Sequence, residues 1–385
     1  MNEAPATDHT HAPGPTAVAP TAVRVETHEE LSGRGVTIAF LDSGFTPHPD
    51  LARSGRLVAF HAVEEPETTL APSDEARPWA WHGTQTSVVA AGDGSLSDGV
   101  YRGLAWSARV VLVQVGREGS IHEEEIGRAF EWLLENFERL GVRVVNVSLG
   151  GDVEAPLEAS RVNQLAEEAV RRGLVVVVAA GNAGGAEVHV PLPPASAPSV
   201  ITVGGYHDWR QDDGRSFALY LSSFGHTPEG VPKPELLAPA IEVAAPILEG
   251  TPEFRMAEML VRMTTAGDED LLAMARETFE GLGLPAGAVE AGPDAVRGAV
   301  FERLREKKIV AAHYQHVDGT SFAAPIVASV VAQMLEANPT LSPAAVKGIL
   351  MATAERIEGA PAERQGHGVV DARRAIAAAR TAPPG

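Results

Sequence analysis

The most constraining stretch of the sequence is residues 322–335, which are almost entirely apolar. A helix without a polar face does not rest on a surface; other layers of structure must enclose it. Pro325 is expected within about the first turn, where a missing N–H costs least. Ser321, in Gly319-Thr320-Ser321, then sits at the helix start, beside unpaired backbone N–H groups and the positive end of the helix dipole. Taken alone, such a serine reads as an N-cap. The same position also suits a nucleophile whose attack creates an oxyanion.

The layers that could enclose this helix are legible upstream. Residues 36–41 form a β-branched and aromatic run that reads as a buried parallel strand, with Asp42-Ser43-Gly44 at its C-terminal end. Trp81-His82-Gly83-Thr84 leads into the small, apolar residues 85–91, a helix with His82 at its start. Residues 109–115 and 142–149 read as strands, and the amphipathic residues 123–139 as the crossover helix between them. A helix over 157–172 precedes a strand over 174–180 that ends in Gly181-Asn182, and 199–204 is a further strand. This rhythm predicts an α/β fold, a doubly wound parallel sheet with helices on both faces. In such sheets ligands bind beyond the carboxyl ends of the strands. Asp42, His82 and Asn182 fall at that edge, although Asp42 alone also reads as a turn or cap residue and His82 as a capped structural one.

Residues 249–312 break the rhythm with three helical patterns, 253–265, 269–282 and 293–308, and hold four of the chain's seven methionines. Their spacing suits ordinary helix packing, and a Met-rich face also suits a peptide or partner-docking surface. The expected organisation is a disordered tail over 1–22, one domain over 23–380 with the helical insertion 249–312 inside it, and a frayed end over 381–385. His9 and His11 read as part of a solvated tail. The 44% apolar content describes a globular protein, and no apolar run of membrane-spanning length is evident. A net charge of −20 argues against nucleic acid and anionic membrane as partners. The absence of cysteine removes disulfides and thiolate chemistry and, with no basic and apolar leader at the start, predicts a cytoplasmic location.

An Asp, a His and a Ser, each at a strand end or helix start, make up the set needed for nucleophilic acyl transfer. A serine hydroxyl needs an imidazole to take its proton, and that imidazole needs a carboxylate to fix its tautomer. With Asn182 as a side-chain donor to the oxyanion, the order Asp, His, Asn, Ser resembles the subtilisin family of serine proteases. Asp42-Ser43-Gly44, Trp81-His82-Gly83-Thr84, Ser148-Leu149-Gly150-Gly151, Ala179-Ala180-Gly181-Asn182 and Gly319-Thr320-Ser321-Phe322-Ala323-Ala324-Pro325 carry the resemblance. The layout resembles the intracellular subtilisin-like forms.

The resemblance implies a serine endopeptidase with Asp42 as orienter, His82 as general base and acid, and Ser321 as nucleophile. Asn182 and the Ser321 N–H would form the oxyanion hole. Ser148, Leu149 and Gly150 would pair with an extended protein or peptide substrate, and Ala180 and Gly181 would shape a wide, largely apolar pocket for the residue before the cut. No cofactor is needed for this chemistry. Many relatives bind calcium, and the loop Asp93-Gly94-Ser95-Leu96-Ser97-Asp98-Gly99 has oxygen donors that suit a hard cation or a plain polar turn. The alternative function is a catalytically silent relative that binds peptides. Residues 85–88, Gln-Thr-Ser-Val, depart from the small-residue pattern of the family, so helix packing there is expected to differ.

Overall fold

In the computed structural model, residues 18–383 are described except 28–29, 54, 66, 74–76, 78, 117–119, 186–187, 212–213 and 286. The strands are β1 Thr37–Asp42, β2 Leu57–Ala62, β3 Thr68–Thr69, β4 Arg109–Gln114, β5 Val142–Val147, β6 Val175–Ala179, β7 Ile201–Gln211 and β8 Gly214–Leu219. A short hairpin of β9 Gly225–His226 and β10 Pro232–Lys233 follows, then β11 Leu236–Pro239, β12 Val243–Pro246, β13 Ile309–Ala311 and β14 Tyr314–Val317.

The main sheet runs β11-β7-β6-β5-β1-β4-β2-β3, with β8 paired to β7. All its pairings are parallel except β2–β3 and β7–β8. All six residues of β1 are buried, because both faces of the sheet are covered. Ile38 and Phe40 enter the core shared with the helices Trp81–Ala91 and Thr320–Ala337, while Ala39 and Leu41 pack with the helices Glu123–Leu140 and Arg161–Arg171 on the other face. The doubly wound α/β architecture is thus as the alternating pattern predicts.

The helix Thr320–Ala337 lies in the first of these cores. By length and composition it could span a membrane, contrary to the expectation that no such run exists, and 83% of that window is buried inside the protein. Pro325 lies in its second turn, not its first. Thr21 and Ala22, expected at the end of a disordered tail, belong to the short helix Thr21–Arg24, whose Arg24 Nε donates to Asp208 at 2.7 Å. His9 and His11 lie outside the described residues. Two other boundaries shift. The helix expected over 157–172 is Arg161–Arg171, capped by the Ser160 hydroxyl, and the strand expected over 199–204 continues to Gln211 as half of a hairpin.

The described residues of the insertion form four helices, Pro252–Thr265, Asp268–Leu282, Gly287–Ala291 and Pro293–Glu306, and the chain returns through the β13–β14 hairpin. Met263 is fully buried, and Met256, Met259 and Met274 pack against the same core as Leu260, Leu271 and Val300. The methionine spacing therefore reflects a small core of the insertion's own. β14 pairs with β12, and the Tyr314 hydroxyl donates to Asp50, so the segment is clasped at its base.

Candidate active site

Register brings the site together. Leu41 of β1 pairs with Val147 of β5, and Val147 pairs with Val178 of β6. The residues that follow these strands, among them Ser148 and Asn182, therefore emerge with Asp42 along one sheet edge. β5, β6 and β7 lie on one side of β1 and β4, β2 and β3 on the other, so the chain's connections part around β1 and leave a crevice at that edge. The helix Trp81–Ala91 packs directly above it. A Cβ at Gly83 would meet Gly44 O at 2.3 Å and Asp42 Cβ at 3.0 Å, so only glycine allows this approach.

Asp42 is fully buried, and its Oδ1 lies 2.6 Å from His82 Nδ1. The Ser43 N–H also donates to Oδ1 at 2.7 Å, and the Thr86 hydroxyl donates to Oδ2 at 2.9 Å. These bonds hold the carboxylate in one orientation. Burial lowers the His82 pKa, but the Asp42 charge and hydrogen bond outweigh it and leave His82 above its ordinary 6.5. The imidazole ring lies between Trp81 and Phe322, at centroid distances of 5.2 and 5.7 Å.

Ser321 follows Thr320, the first residue of its helix, as the sequence predicts. Its hydroxyl donates to Ser148 O at 3.4 Å, and among the described residues it makes no hydrogen bond to His82. The Ser148 hydroxyl in turn donates to Ser321 O at 2.8 Å and accepts from Asn146 Nδ2 at 3.0 Å. This contact answers the position of Pro325. A proline has no N–H for the carbonyl four residues back, so the Ser321 carbonyl loses its helical partner and takes the Ser148 hydroxyl instead.

Asn182 Oδ1 accepts from the Thr320 N–H at 2.9 Å and from its hydroxyl at 3.0 Å. That fixes the amide so that its NH2 remains available beside the Ser321 turn. Ser148, Leu149, Gly150, Ala180 and Gly181 all line one cavity of about 330 Å³ with Asn182 and Ser321. At Gly181, φ is +95° and a Cβ would meet Ser223 Oγ at 2.8 Å, so a side chain there would be strained.

A profile described as the subtilase family matches residues 33–368. The chain belongs to the subtilase family. It is thereby a subtilisin-like serine peptidase by family. It is 29% identical over 365 residues to the serine protease AprX of Bacillus subtilis, covering 91% of this subtilase and 68% of AprX. It is 34% identical over 172 residues to subtilisin Savinase of Lederbergia lenta, covering 44% of this chain and 56% of that one. Among solved structures, the CspB protease of Clostridium perfringens superposes with a TM-score of 0.66 at 15% identity, covering 95% of this chain and 98% of that one. Fervidolysin of Fervidobacterium pennivorans superposes with a TM-score of 0.61 at 22% identity over 93% of this chain and 44% of its own. These likenesses establish the subtilisin fold.

The subtilase's calcium candidate, residues 93–99, is tied to its own backbone and to Arg56 and Asp50. Asp93 Oδ1 accepts from Ser95 N at 3.0 Å, and its Oδ2 lies 4.0 Å from Arg56 Nη2. The Ser95 hydroxyl and Leu96 N–H both donate to Asp50 Oδ1, at 2.8 and 3.2 Å. N–H groups and a guanidinium aimed at these carboxylates do not fit an oxygen cage for calcium in this arrangement, and no group of three or more acidic or histidine side chains suited to a metal occurs among the described residues.

Sequence reasoning missed Thr86 and the hydroxyl roles of Ser148 and Thr320. Thr86 had a usable signal, since it lies four residues after His82 and so shares its helix face. The departure at 85–88 has a physical content: Gln85, Thr86 and Ser87 are all buried, and each donates a hydrogen bond, to Pro246 O, Asp42 and Gly83 O.

Proposed function

We propose that this subtilase is a serine endopeptidase that hydrolyses peptide bonds through an acyl-enzyme on Ser321. The observation that carries the reading is the 2.6 Å bond between His82 Nδ1 and buried Asp42, because it commits one ring nitrogen and leaves Nε2 to serve the Ser321 hydroxyl. In the attack, Ser321 Oγ turns from Ser148 O, gives its proton to Nε2 and bonds to the substrate carbonyl carbon. The carbonyl oxygen becomes an oxyanion that accepts from the Asn182 NH2 and the Ser321 N–H. His82 then protonates the leaving nitrogen as the C–N bond breaks. Water gives a proton to His82 and adds to the ester carbon, and His82 passes that proton to Ser321 Oγ as the acyl–oxygen bond breaks.

An extended polypeptide would pair with the backbone of Ser148, Leu149 and Gly150, and the side chain before the cut would enter the cavity beside Ala180 and Gly181. The inserted helices would restrict which polypeptides reach Ser321 and offer an outer face for partner docking. Their deletion in a folded variant should broaden cleavage of unstructured proteins. A cytoplasmic location, resting on a chain without cysteine, completes the proposal, and fractionation of the source cells tests it.

The competing reading is a silent peptide-binding relative. A fluorophosphonate probe separates the two: the wild type should be labelled and Ser321→Ala should not. Unlabelled wild type that is folded, or equal labelling of the variant, overturns the peptidase reading.

A further inference from the structure

The chain reaches Ser321 through Asp318 and Gly319, and Gly319 has φ +141°. A glycine in that conformation is a soft joint, so the direction in which Ser321 leaves it must be fixed from outside. On one side Asn182 holds Thr320. On the other, the Gly319 N–H donates to Ala240 O at 2.7 Å, and the Asp318 carboxylate grips two neighbouring segments.

Asp318 Oδ1 accepts from the Glu242 N–H at 2.9 Å, and its Oδ2 accepts from Lys308 Nζ at 2.5 Å. Both partners have positive φ, +54° at Glu242 and +56° at Lys308, and they are two of the four such non-glycine residues among those described. An L-residue keeps that conformation where its surroundings impose it. The Glu242 carbonyl is held too, accepting from Arg24 Nη1 at 3.0 Å. Lys308 joins the last inserted helix, Pro293–Glu306, to β13, and its carbonyl accepts from the His316 N–H at 2.8 Å, on the strand that leads into Asp318. Burial raises the Asp318 carboxyl, but the Lys308 ammonium and the Glu242 N–H outweigh it and hold the group below its ordinary 3.8. It is therefore ionised wherever His82 is neutral.

Resting on the peptidase reading above, we infer that Asp318 is a positioning residue for Ser321, fastening the nucleophile turn to the Glu242 bend and to the exit of the inserted helices. Without its carboxylate, Glu242 relaxes toward negative φ and shifts Ala240 O, two residues back, which holds the Gly319 N–H. The Lys308–Asp318 pair leaves 49% and 32% of its side chains exposed, so it adds little to overall stability. What it fixes is the local path of the chain into Ser321.

The test uses the full chain, with competent sites counted by fluorophosphonate. Asp318→Ala should lower kcat per site about tenfold with KM within about twofold, as displacement of a nucleophile does. Asp318→Asn, whose amide oxygen still accepts the Glu242 N–H, should recover part of the loss. Asp318→Ala combined with Glu242→Gly should recover most of it, because glycine holds a positive φ without a clamp. Lys308→Gln should lower kcat about threefold, with no further loss in the Asp318→Ala background and with an unchanged urea midpoint when read in Ser321→Ala protein. Wild-type kcat in Asp318→Ala, or a loss that neither Asn at 318 nor Glu242→Gly repairs, overturns this inference alone. If Asp318→Ala does not fold, wild-type kcat in both Asp318→Asn and Lys308→Gln overturns it. A wild type that neither labels nor cuts any peptide overturns the peptidase reading and this inference with it.

Discussion

If the Ser148 hydroxyl replaces the helical N–H that Pro325 lacks, the two residues must be energetically coupled although they lie on different elements. Ser148 Oγ donates to Ser321 O at 2.8 Å, and Ser148 is 4% exposed. Ser148→Ala leaves that carbonyl without a donor, which should cost about 1–3 kcal/mol of stability. Pro325→Ala restores an N–H in reach of the same carbonyl. The double variant should therefore lose less than the sum of the single changes, with a coupling of about 1–2 kcal/mol. Urea unfolding measures this, in a Ser321→Ala background that prevents self-digestion and keeps the carbonyl. In the active background Ser148→Ala should also lower kcat about tenfold, because the Ser321 backbone is no longer tied to the end of β5 at Ser148. Additivity within about 0.3 kcal/mol would refute the argument and reduce the Ser148 contact to a consequence of packing.

Other outcomes follow from the geometry. The kcat/KM profile should rise with pH through a midpoint above 6.5, since His82 must be neutral to accept the serine proton and Asp42 holds its pKa up. Asp42→Asn should move that midpoint down, and a flat profile between about pH 5 and 8 would exclude His82 as base. The linked stability has the matching sign: the Asp42–His82 attraction is fully present below 6.5 and is lost as pH rises through the raised value, so Ser321→Ala protein should become less stable across that window. Asn182→Ala should cost on the order of 10²–10³ in kcat with KM nearly unchanged, and a large KM effect with intact kcat would make Asn182 a ground-state contact. Glu235 accepts from Lys233 Nζ at 2.7 Å and Lys347 Nζ at 2.6 Å on the same oxygen, and is 4% exposed. Glu235→Gln should destabilise the protein by about 3–5 kcal/mol in calorimetry or urea unfolding, since it leaves two ammonium groups without their anion.

The sequence by itself determined the alternating layers, the buried helix behind Ser321 and the order of Asp42, His82, Asn182 and Ser321. Each of these is written in local periodicity and short motifs, so it survives without knowledge of distant contacts. It did not determine that Pro325 sits in the second turn, that β7 continues into a hairpin, or that Thr21–Arg24 is tied down by Asp208. Those depend on what lies opposite each residue. The same holds for Thr86 against Asp42 and Ser148 against Ser321 O. A hydroxyl or amide is chemically alike wherever it occurs in a sequence. Only the register of β1, β5 and β6 and the path of the inserted chain decide which acceptor it meets, and that is why the order of Asp42, His82 and Ser321 was legible in advance while the hydrogen bonds around them were not.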